Sequence, residues 1–314
     1  MANKYIIVGS MLFRRGFNGE LRCLTDEEAY KVIGEAHSGA YDGHVNGPML
    51  TKKILWQGYY WPTMEEDCVK FIRHCEKCQL HADKIHAPAS VILTLAFLDV
   101  DIRCGWTLIW NRIRSTKAES FILTATEYYI KWAKAEAFAE IKASTVVKFI
   151  KTNIIARFDV PKVIVTDNGL QFVSQELQGM CDRYGIQLHH SSPYYPQGNG
   201  QAEATNKTLI KILKKTYESH KFSDWPEKLI DALWAYRTSI RTPTRQTPYV
   251  LTFRMEAVLS YEIFLPSLRV QLDQEVSESE HREALLPQLE LLDERRLRAA
   301  EHVQVYQNWL SKFY

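Results

Sequence analysis

Two acidic residues, Asp167 and Glu203, stand where both could bind the same divalent cation. Asp167 follows a short β-branched run and opens an Asp-Asn-Gly turn, which predicts a carboxylate at the carboxyl end of a buried strand. Glu203 follows a loop with two prolines and two glycines and opens a long segment without either, which predicts the first turn of a helix. Converging carboxylates without a basic partner repel each other, and their oxygen ligands favour Mg²⁺ or Mn²⁺. The pattern therefore predicts a divalent-metal site with 35 residues between its two acids.

Two histidines and a Cys-x-x-Cys pair form a second candidate metal site, nearer the start of the chain. These residues are His37, His44, Cys75 and Cys78. Two imidazoles and two thiolates make a tetrahedral zinc set, and a closed set of four ligands is structural, not catalytic. His74 and His81 flank the thiolates and are weaker candidates, whereas Cys68 lies on the apolar face of a predicted helix.

The composition is that of a globular protein of two or three domains. Of the 314 residues, 46% are apolar and 24% are charged, and six cysteines in a chain this long favour a metal site over a disulfide framework. No run of eighteen apolar residues exists, and the first ten residues are too quickly charged for a signal peptide. We therefore expect a nuclear or intracellular protein that is neither secreted nor embedded in a membrane. Because the net charge is only +2, nucleic-acid binding must depend on local clusters of lysine and arginine.

Hydrophobic patterning predicts two groups of elements. In the first group a β-hairpin precedes three helices, at 5–15, 25–37, 49–56 and 65–74. In the second group three strands precede alternating helices and strands, at 98–103, 121–129, 131–138, 144–158, 163–165, 175–184, 186–190 and 201–220. Residues 79–96 have the polar, irregular composition of a linker, and 280–308 has the Leu-, Glu- and Arg-rich pattern of a long amphipathic helix.

Several motifs together resemble those of one protein family. The Asp-Asn-Gly turn at 167–169 and the loop Ser-Pro-Tyr-x-Pro-Gln-x-Asn-Gly-x-x-Glu at 192–203 resemble the segments that hold the second and third acids of retroelement integrases. The segment Gly-Tyr-Tyr-Trp-Pro-Thr-Met at 58–64, and motifs between 233 and 249, are similar to those of Gypsy-type integrases of long-terminal-repeat retrotransposons, especially those of plants. The resemblance covers nearly all of residues 5–300.

The resemblance implies an α/β fold in two parts. A small helical His-His-Cys-Cys zinc domain would precede a ribonuclease H-like catalytic core, in which helices flank a mixed five-stranded sheet. The expected parts are a β-hairpin extension at 1–24, the zinc domain at 25–82, a linker at 83–96, the catalytic core at 97–265 and a helical tail at 266–314. The relatives continue into a small DNA-binding β-barrel, so we interpret the chain as an integrase segment of a polyprotein that is truncated before that barrel.

The resemblance also implies divalent-metal-dependent polynucleotidyl transfer on DNA. Asp101, Asp167 and Glu203 would hold two Mg²⁺ or Mn²⁺ ions, and a structural Zn²⁺ would stabilise the N-terminal domain. Water would cut near the 3′ end of the element's DNA, and the freed 3′-OH would then attack target DNA. The expected DNA contacts are Gln197, Asn199, Lys207, Lys211 and Lys214. Family members work as multimers on DNA, so a homo-oligomer is expected.

The first acid is the least regular part of this pattern. The segment 98–103 alternates apolar residues with Asp99 and Asp101, which predicts a half-buried strand. The relatives carry Trp-Gly-apolar-Asp-apolar followed by Gly-Pro, whereas Gly105 and Trp106 here come after both acids. We favour Asp101 over Asp99, and the alternative function is a catalytically inactive nucleic-acid-binding remnant of an integrase. A plain ribonuclease H-type hydrolase is a third alternative, against which the zinc ligands and the Pro-Gln-x-Asn-Gly loop argue.

Overall fold

A computed structural model describes the chain in several ranges. They are 4–8, 11–16, 19–38, 44–80, 105–113, 121–191, 200–216, 225–267, 270, 292, 294–306 and 308–309. Within them the chain forms two groups of elements, each with its own sheet. Both candidates for the first acid, Asp99 and Asp101, lie outside these ranges, as do His81, Gln197 and Asn199.

A four-stranded sheet begins the described chain. Its strands are β1 (Tyr5–Val8), β2 (Met11–Gly16), β3 (Gly19–Cys23) and β4 (Tyr59–Tyr60). The first three strands form an antiparallel meander, and β4 pairs in parallel with β3. The predicted hairpin is confirmed, with Val8 opposite Met11, but β3 extends it. β3 carries few apolar residues, so its sequence alone does not predict a strand. It is a strand because it pairs with β2 and β4.

Four helices follow in this group, and the first three share one buried cluster. They are α1 (Asp26–Ser38), α2 (Gly47–Trp56), α3 (Met64–Arg73) and α4 (Glu76–Leu80). The predicted capping box begins α1: Glu28 Oε2 accepts from the Thr25 N–H at 3.0 Å, and Thr25 Oγ1 accepts from the Glu28 N–H at 3.4 Å. Leu50, Ile54 and Trp61 are buried in the shared cluster, which holds the helices together.

A five-stranded sheet is the centre of the second group. Its strands are β5 (Gly105–Arg112), β6 (Phe121–Glu127), β7 (Ala133–Phe138), β8 (Val163–Thr166) and β9 (Gln187–His190). They stand in the order β7-β6-β5-β8-β9, with β5, β6 and β7 antiparallel and β8 parallel to both β5 and β9. The predicted mixed five-stranded sheet is therefore confirmed, and β5 is its central strand.

Further helices follow, and those nearest the second sheet cover both of its faces. They are α5 (Ala143–Ile150), α6 (Gln175–Tyr184), α7 (Gly200–Thr216), α8 (Trp225–Thr238), α9 (Pro248–Phe253) and α10 (Ser260–Phe264). α5 and α6 share a buried cluster with Trp106 and Leu108, and α7 and α8 share another with Ile113 and Ile122. None of the described helices is both long enough and apolar enough to cross a membrane.

The bounds of α6 agree with the sequence prediction, whereas the start of α5 does not. α6 begins and ends as predicted: Ser174 Oγ accepts from the Leu177 N–H at 3.2 Å, and Gly185 closes the helix with a φ of 67°. α5 instead has Lys142 at its N-cap, so the predicted cap at Ser144 is wrong. The alanine before Ser144 is a strong helix former, and it already belongs to the helix.

The first described strand of the five-stranded sheet is one that the sequence did not predict. The strand expected at 98–103 lies outside the described residues, and the first described strand of this sheet is β5. Both faces of β5 are covered, with Trp106 and Leu108 buried on one side and Thr107 and Ile109 on the other. A strand buried on both faces lacks the alternation from which half-buried strands are predicted.

Candidate functional site

The predicted zinc ligands come together in the structure. The metal-binding atoms of His37, His44, Cys75 and Cys78 all lie within 4.8 Å of one another. His37 Nε2 lies 3.2 Å from His44 Nδ1 and 3.4 Å from Cys78 Sγ, and Cys75 Sγ lies 3.4 Å from His44 Nδ1. Zinc bonds of about 2.0 Å to nitrogen and about 2.3 Å to sulfur place the corners of a tetrahedron about 3.3–3.8 Å apart. The four side chains therefore fit one zinc ion.

Helix ends and the connections between helices bring these ligands to one point. His37 lies in the last turn of α1 and Cys78 lies on α4, whereas His44 and Cys75 lie in connections. His44 has a φ of 47°, a left-handed conformation that is uncommon for a residue other than glycine. Such backbone strain costs about 1–3 kcal/mol and is concentrated at functional sites.

Burial favours the neutral form of two of these ligands. It lowers the pKa of His37 to about 4, and the positive charges of Lys215 and Lys53 act in the same direction. It also raises the pKa of Cys78 to about 11. A neutral imidazole is the form that binds zinc, whereas a thiol must first lose its proton. Zinc, when bound, supplies the positive charge that keeps the thiolates ionised in this buried position.

A lysine of α7 contacts the same cluster. Lys215 Nζ donates to the backbone carbonyl of His44 at 2.8 Å and lies 3.9 Å from Cys78 Sγ. Because α7 also packs on β5 and β6, this lysine joins the zinc cluster to the five-stranded sheet. Sequence analysis missed this contact, since a lysine in the last turn of a helix usually just stabilises the helix dipole.

Asp167 lies where the sequence predicts, directly after β8 at the carboxyl edge of the five-stranded sheet. Its Oδ1 accepts a hydrogen bond from the Gly169 N–H at 2.9 Å, and Asn168 Nδ2 donates to the Ser191 carbonyl at 2.9 Å. These bonds close a tight turn and tie it to the end of β9. The turn fixes the carboxylate at the edge of the sheet and leaves it partly exposed.

Glu203 and the three lysines predicted to contact DNA all lie on α7. Glu203 is in the first turn of the helix and is partly exposed. Lys207 and Lys214 are exposed, and Lys211 is partly exposed. The positive face of α7 therefore continues from the turn that carries Glu203.

Contacts of α7 show where it packs on the sheet. Asn206 Oδ1 accepts from Thr124 Oγ1 at 3.3 Å, and Thr124 stands opposite the middle of β5. Further along the helix, Leu213 shares a buried cluster with Ile113, which follows the last residue of β5. α7 therefore crosses the sheet over β5 and β6, and Glu203 lies one turn before Asn206.

The strand beside Asp167 offers no acid. β5 pairs in parallel with β8 so that Thr107 is opposite Val165, and two residues further on Ile109 is level with Asp167. None of the eight residues of β5 is acidic. Apart from the zinc set, the described ranges hold no group of three or more His, Cys, Asp or Glu side chains close enough to bind a metal ion. The described residues at this edge therefore do not fit a pair of divalent ions.

Glu127 is a buried acid on the other face of the sheet. It is opposite Trp106 in register, is 5% exposed, and accepts from the Ile130 N–H at 2.6 Å. Burial raises the pKa of Glu127 to about 7 and lowers the pKa of the neighbouring Lys131 to about 7. These contacts hold the turn between β6 and β7, away from the face that carries Asp167.

Comparison with known protein families agrees with both parts of the structure. A family described as the integrase zinc binding domain matches residues 24–84, and one described as the integrase core domain matches residues 106–196. The chain carries an integrase zinc-binding domain and an integrase core. The zinc-binding match includes all four clustered ligands. The core match includes all five strands of the second sheet, apart from Gly105, the first residue of β5.

Transposon polyproteins are among the relatives of this integrase chain. The Tf2-3, Tf2-4 and Tf2-5 polyproteins of Schizosaccharomyces pombe are each 23% identical to it over 249 residues. The aligned part is 79% of this chain and 18% of each polyprotein, so the chain spans under a fifth of the length of these relatives. The predicted resemblance to Gypsy-type retrotransposon integrases is confirmed, and its plant-like character stays a prediction.

A solved structure shows the same fold. It is the cryo-EM structure of a simian T-cell lymphotropic virus intasome in complex with PP2A regulatory subunit B56 gamma. One of its chains matches with a TM-score of 0.51 and 16% identity, over 74% of this chain and 76% of that chain. At this identity the likeness supports the fold alone, and it confirms the α/β, ribonuclease H-like class.

Proposed function

We propose that this chain is the integrase segment of a retrotransposon polyprotein and that its core binds the ends of the element's DNA. The supporting observation is that an integrase core carries a lysine-bearing helix, α7, which packs on β5 and β6 of the five-stranded sheet. α7 presents Lys207 and Lys214 to solvent in the turns after Glu203. Clustered lysines neutralise phosphates without reading base sequence, so binding through α7 is compatible with a net charge of +2.

The finer proposal from the sequence is polynucleotidyl transfer, as 3′-end processing followed by strand transfer. It requires Asp167, Glu203 and one further acid, for which the sequence offers Asp101 or Asp99. The zinc-binding domain would supply a structural Zn²⁺ site, while Mg²⁺ or Mn²⁺ would serve the acids. Assembly as a homo-oligomer on DNA, and a nuclear or intracellular element particle, belong to the same proposal.

Salt-dependent DNA binding tests the first part of this proposal. The affinity of the full chain for a fluorescent duplex oligonucleotide is measured at increasing salt concentrations. We expect affinity to fall with salt, and Lys207→Ala and Lys214→Ala each to reduce the log–log slope by about one. Lys228→Ala is the matched control, since Lys228 is an exposed lysine on α8. Salt-independent binding, or equal slopes in all variants, would contradict a role for α7 in DNA contact.

A second candidate function is DNA binding without strand transfer. It is favoured by one observation, the absence of any acid among the eight residues of β5 beside Asp167. Nicking of a donor-end oligonucleotide in Mg²⁺ separates the two candidates. A transferase nicks the DNA and loses that activity in Glu203→Gln, with its zinc content unchanged. A binding module shifts the same oligonucleotide in a gel and leaves it intact.

A further inference from the structure

We propose that a cavity between the zinc cluster and α7, here called the junction cavity, binds a small polyphosphate. This site goes beyond the proposed DNA binding, because Lys207 and Lys214, the exposed lysines of that proposal, do not line it. The cavity has a volume of about 540 Å³, which lies within the range of small-molecule sites, roughly 300–1,000 Å³.

Parts of the chain that are distant in sequence form the walls of the junction cavity. The connection that carries His44 and Asn46 contributes one wall, and α7 contributes another. The loop 239–243 after α8 and the helical stretch 294–306 contribute the rest, together with the turn between β6 and β7. A ligand in this cavity would therefore contact the zinc-binding part and the core at the same time.

Positive charges line the junction cavity. Lys211 and Lys215 come from α7, Arg241 comes from the loop after α8, and Lys131 comes from the turn between β6 and β7. Among the described residues that line the cavity, none is an aspartate or a glutamate. Lys131 lies beside the buried Glu127, which offsets its charge, so the other three cations supply most of the positive potential. A surplus of positive charge in a concave site attracts anions.

Arg241 is held in place with hydrogen-bond donors to spare. Its Nε donates to the Ser239 carbonyl at 3.0 Å, and its guanidinium carbon lies 4.3 Å from the centre of the Tyr236 ring. Its backbone N–H donates to the Gln246 carbonyl at 3.0 Å, which fixes the loop. No carboxylate of the described residues pairs with this guanidinium. Because a guanidinium has five N–H donors in a planar fork, the remaining donors can bind a phosphate at two points.

The charge of Lys215 is not neutralised by the zinc site. Its Nζ donates to the His44 carbonyl at 2.8 Å and lies 3.9 Å from Cys78 Sγ. A Zn²⁺ ion with two thiolate and two neutral imidazole ligands has no net charge, so the ammonium group keeps its own. Lys211 lies one turn earlier on the same face of α7, where like charges repel each other. A bound anion would relieve that repulsion.

The arrangement of these groups favours a ligand with several phosphates. A chain of phosphates offers several negative oxygens to cations on different walls, whereas a carboxylate or a chloride ion offers one negative charge. Thr242 and Asn46 add a hydroxyl and an amide group to the lining, and both can donate to phosphate oxygens. A DNA duplex is far wider than the junction cavity, so the geometry favours a small polyphosphate over the DNA backbone.

Calorimetric titration of the zinc-loaded full chain with sodium tripolyphosphate tests the proposal. We expect one site per chain, and sulfate, a single tetrahedral anion, should bind at least about tenfold more weakly. Arg241→Gln should weaken tripolyphosphate binding at least about tenfold, because it removes charge-assisted hydrogen bonds. Arg245→Gln is the matched control, since Arg245 is an exposed arginine of the same connection and does not line the cavity. Zinc content measured after each titration shows that the probe has not removed the metal.

Thr242→Glu gives a second test that does not depend on the packing of Arg241. Position 242 is exposed, so a glutamate there should fold, and its negative charge should weaken tripolyphosphate binding at least about tenfold. If Arg241→Gln does not fold, Thr242→Glu decides alone. Amide hydrogen exchange locates the ligand, because residues 44–49 and 204–215 should both exchange more slowly when tripolyphosphate is bound. Binding that leaves residues 44–49 unprotected would overturn the assigned position.

DNA affinity measured on the same samples separates this site from the proposed DNA contact. Arg241→Gln should keep the wild-type affinity for duplex DNA, whereas Lys214→Ala should lower DNA affinity and keep tripolyphosphate binding. Absence of saturable tripolyphosphate binding, or equal binding in wild type, Arg241→Gln and Thr242→Glu, would overturn the proposal. So would displacement of tripolyphosphate by duplex DNA together with a loss of DNA affinity in Arg241→Gln. Failure of DNA binding alone, with tripolyphosphate binding intact, would refute only the proposed function.

Discussion

The sequence predicts two metal sites, and the described residues assemble one of them and not the other. At the zinc cluster all four ligand atoms lie within 4.8 Å of one another. In the second group Asp167 and Glu203 lie in their predicted elements, but β5, the strand beside Asp167, carries no acid. The zinc ligands hold a small domain together, so losing one unfolds it. An acid beside two others adds repulsion to the folded state, so losing it leaves the fold intact. Folding therefore depends on the ligands of the first site and not on the acids of the second.

Among the variants considered, removal of a zinc ligand should destabilise the protein most. Structural zinc contributes about 10–16 kcal/mol in small zinc-dependent domains, so Cys78→Ser should lose most of its zinc and unfold residues 24–80. Zinc content by mass spectrometry and amide hydrogen exchange measure both effects. Cys23→Ser is the control, because Cys23 is a free thiol outside the ligand set. Full zinc occupancy in Cys78→Ser would show that the assigned ligands are wrong.

Removal of the contact between Lys215 of α7 and the zinc ligands should have the next largest effect, on zinc affinity. Lys215→Met removes the donor to the His44 carbonyl and to Cys78 Sγ but keeps the length of the side chain. Groups that orient metal ligands typically contribute 10–100-fold to affinity, so we expect zinc affinity to fall about tenfold. Competition with a chromogenic chelator measures it. Lys214→Met, one residue earlier and exposed, should leave the affinity unchanged. Equal affinities in the two variants would mean that α7 does not support the zinc site.

The stability of the integrase core should depend on hydrogen bonds that do not involve a metal ion. Arg237 Nε and Nη2 both donate to the Ala133 carbonyl, at 3.1 and 2.8 Å, and the guanidinium lies 4.4 Å from the centre of the Trp132 ring. Arg237→Lys loses this forked, stacked geometry, so we expect the free energy of unfolding to fall by about 1–2 kcal/mol. Urea unfolding measures it, with Arg183→Lys on α6 as the exposed control. If Arg237→Lys lowers the free energy of unfolding only in zinc-free protein, the stability of the core is not independent of the zinc site.

The buried acid on the far face should give a smaller effect that depends on pH. The folded-state pKa of Glu127 is raised to about 7, mainly by burial, although Lys131 and Arg296 act against the rise. The neutral carboxyl of Glu127 therefore makes its full contribution to the free energy of unfolding below about pH 4.5. This contribution is lost as pH rises through about 7. Wild type should lose stability relative to Glu127→Gln between about pH 5 and about pH 7.5. Gln keeps an acceptor for the Ile130 N–H. A difference in urea midpoint that does not change with pH would contradict this.

The parts that the sequence predicted correctly are those set by local chemistry. The zinc ligands follow from residue type and spacing, because only a few metal sites use two imidazoles and two thiolates. The bounds of α6 follow from a serine N-cap at Ser174 and a glycine in the left-handed conformation at Gly185. Asp167 follows from a β-branched run that ends in a turn. Each of these signals lies within a few residues of the feature that it predicts.

The parts that the sequence did not predict depend on distant partners. β3 is a strand because β2 and β4 pair with it, and α4 is a short helix beside the zinc ligands. β5 has no alternation because helices cover both of its faces. Because the sequence did not predict β5, it could not show that the strand beside Asp167 carries no acid. The contact between Lys215 and the zinc cluster likewise exists only in the folded chain.

The metal content of the folded wild-type chain tests the contrast between the two sites most directly. The chain is equilibrated with Zn²⁺ and then with excess Mn²⁺, and native mass spectrometry counts the ions that stay bound. The account predicts one zinc ion per chain and no manganese ion. Manganese that stays bound in wild type and is lost in Asp167→Asn would contradict it.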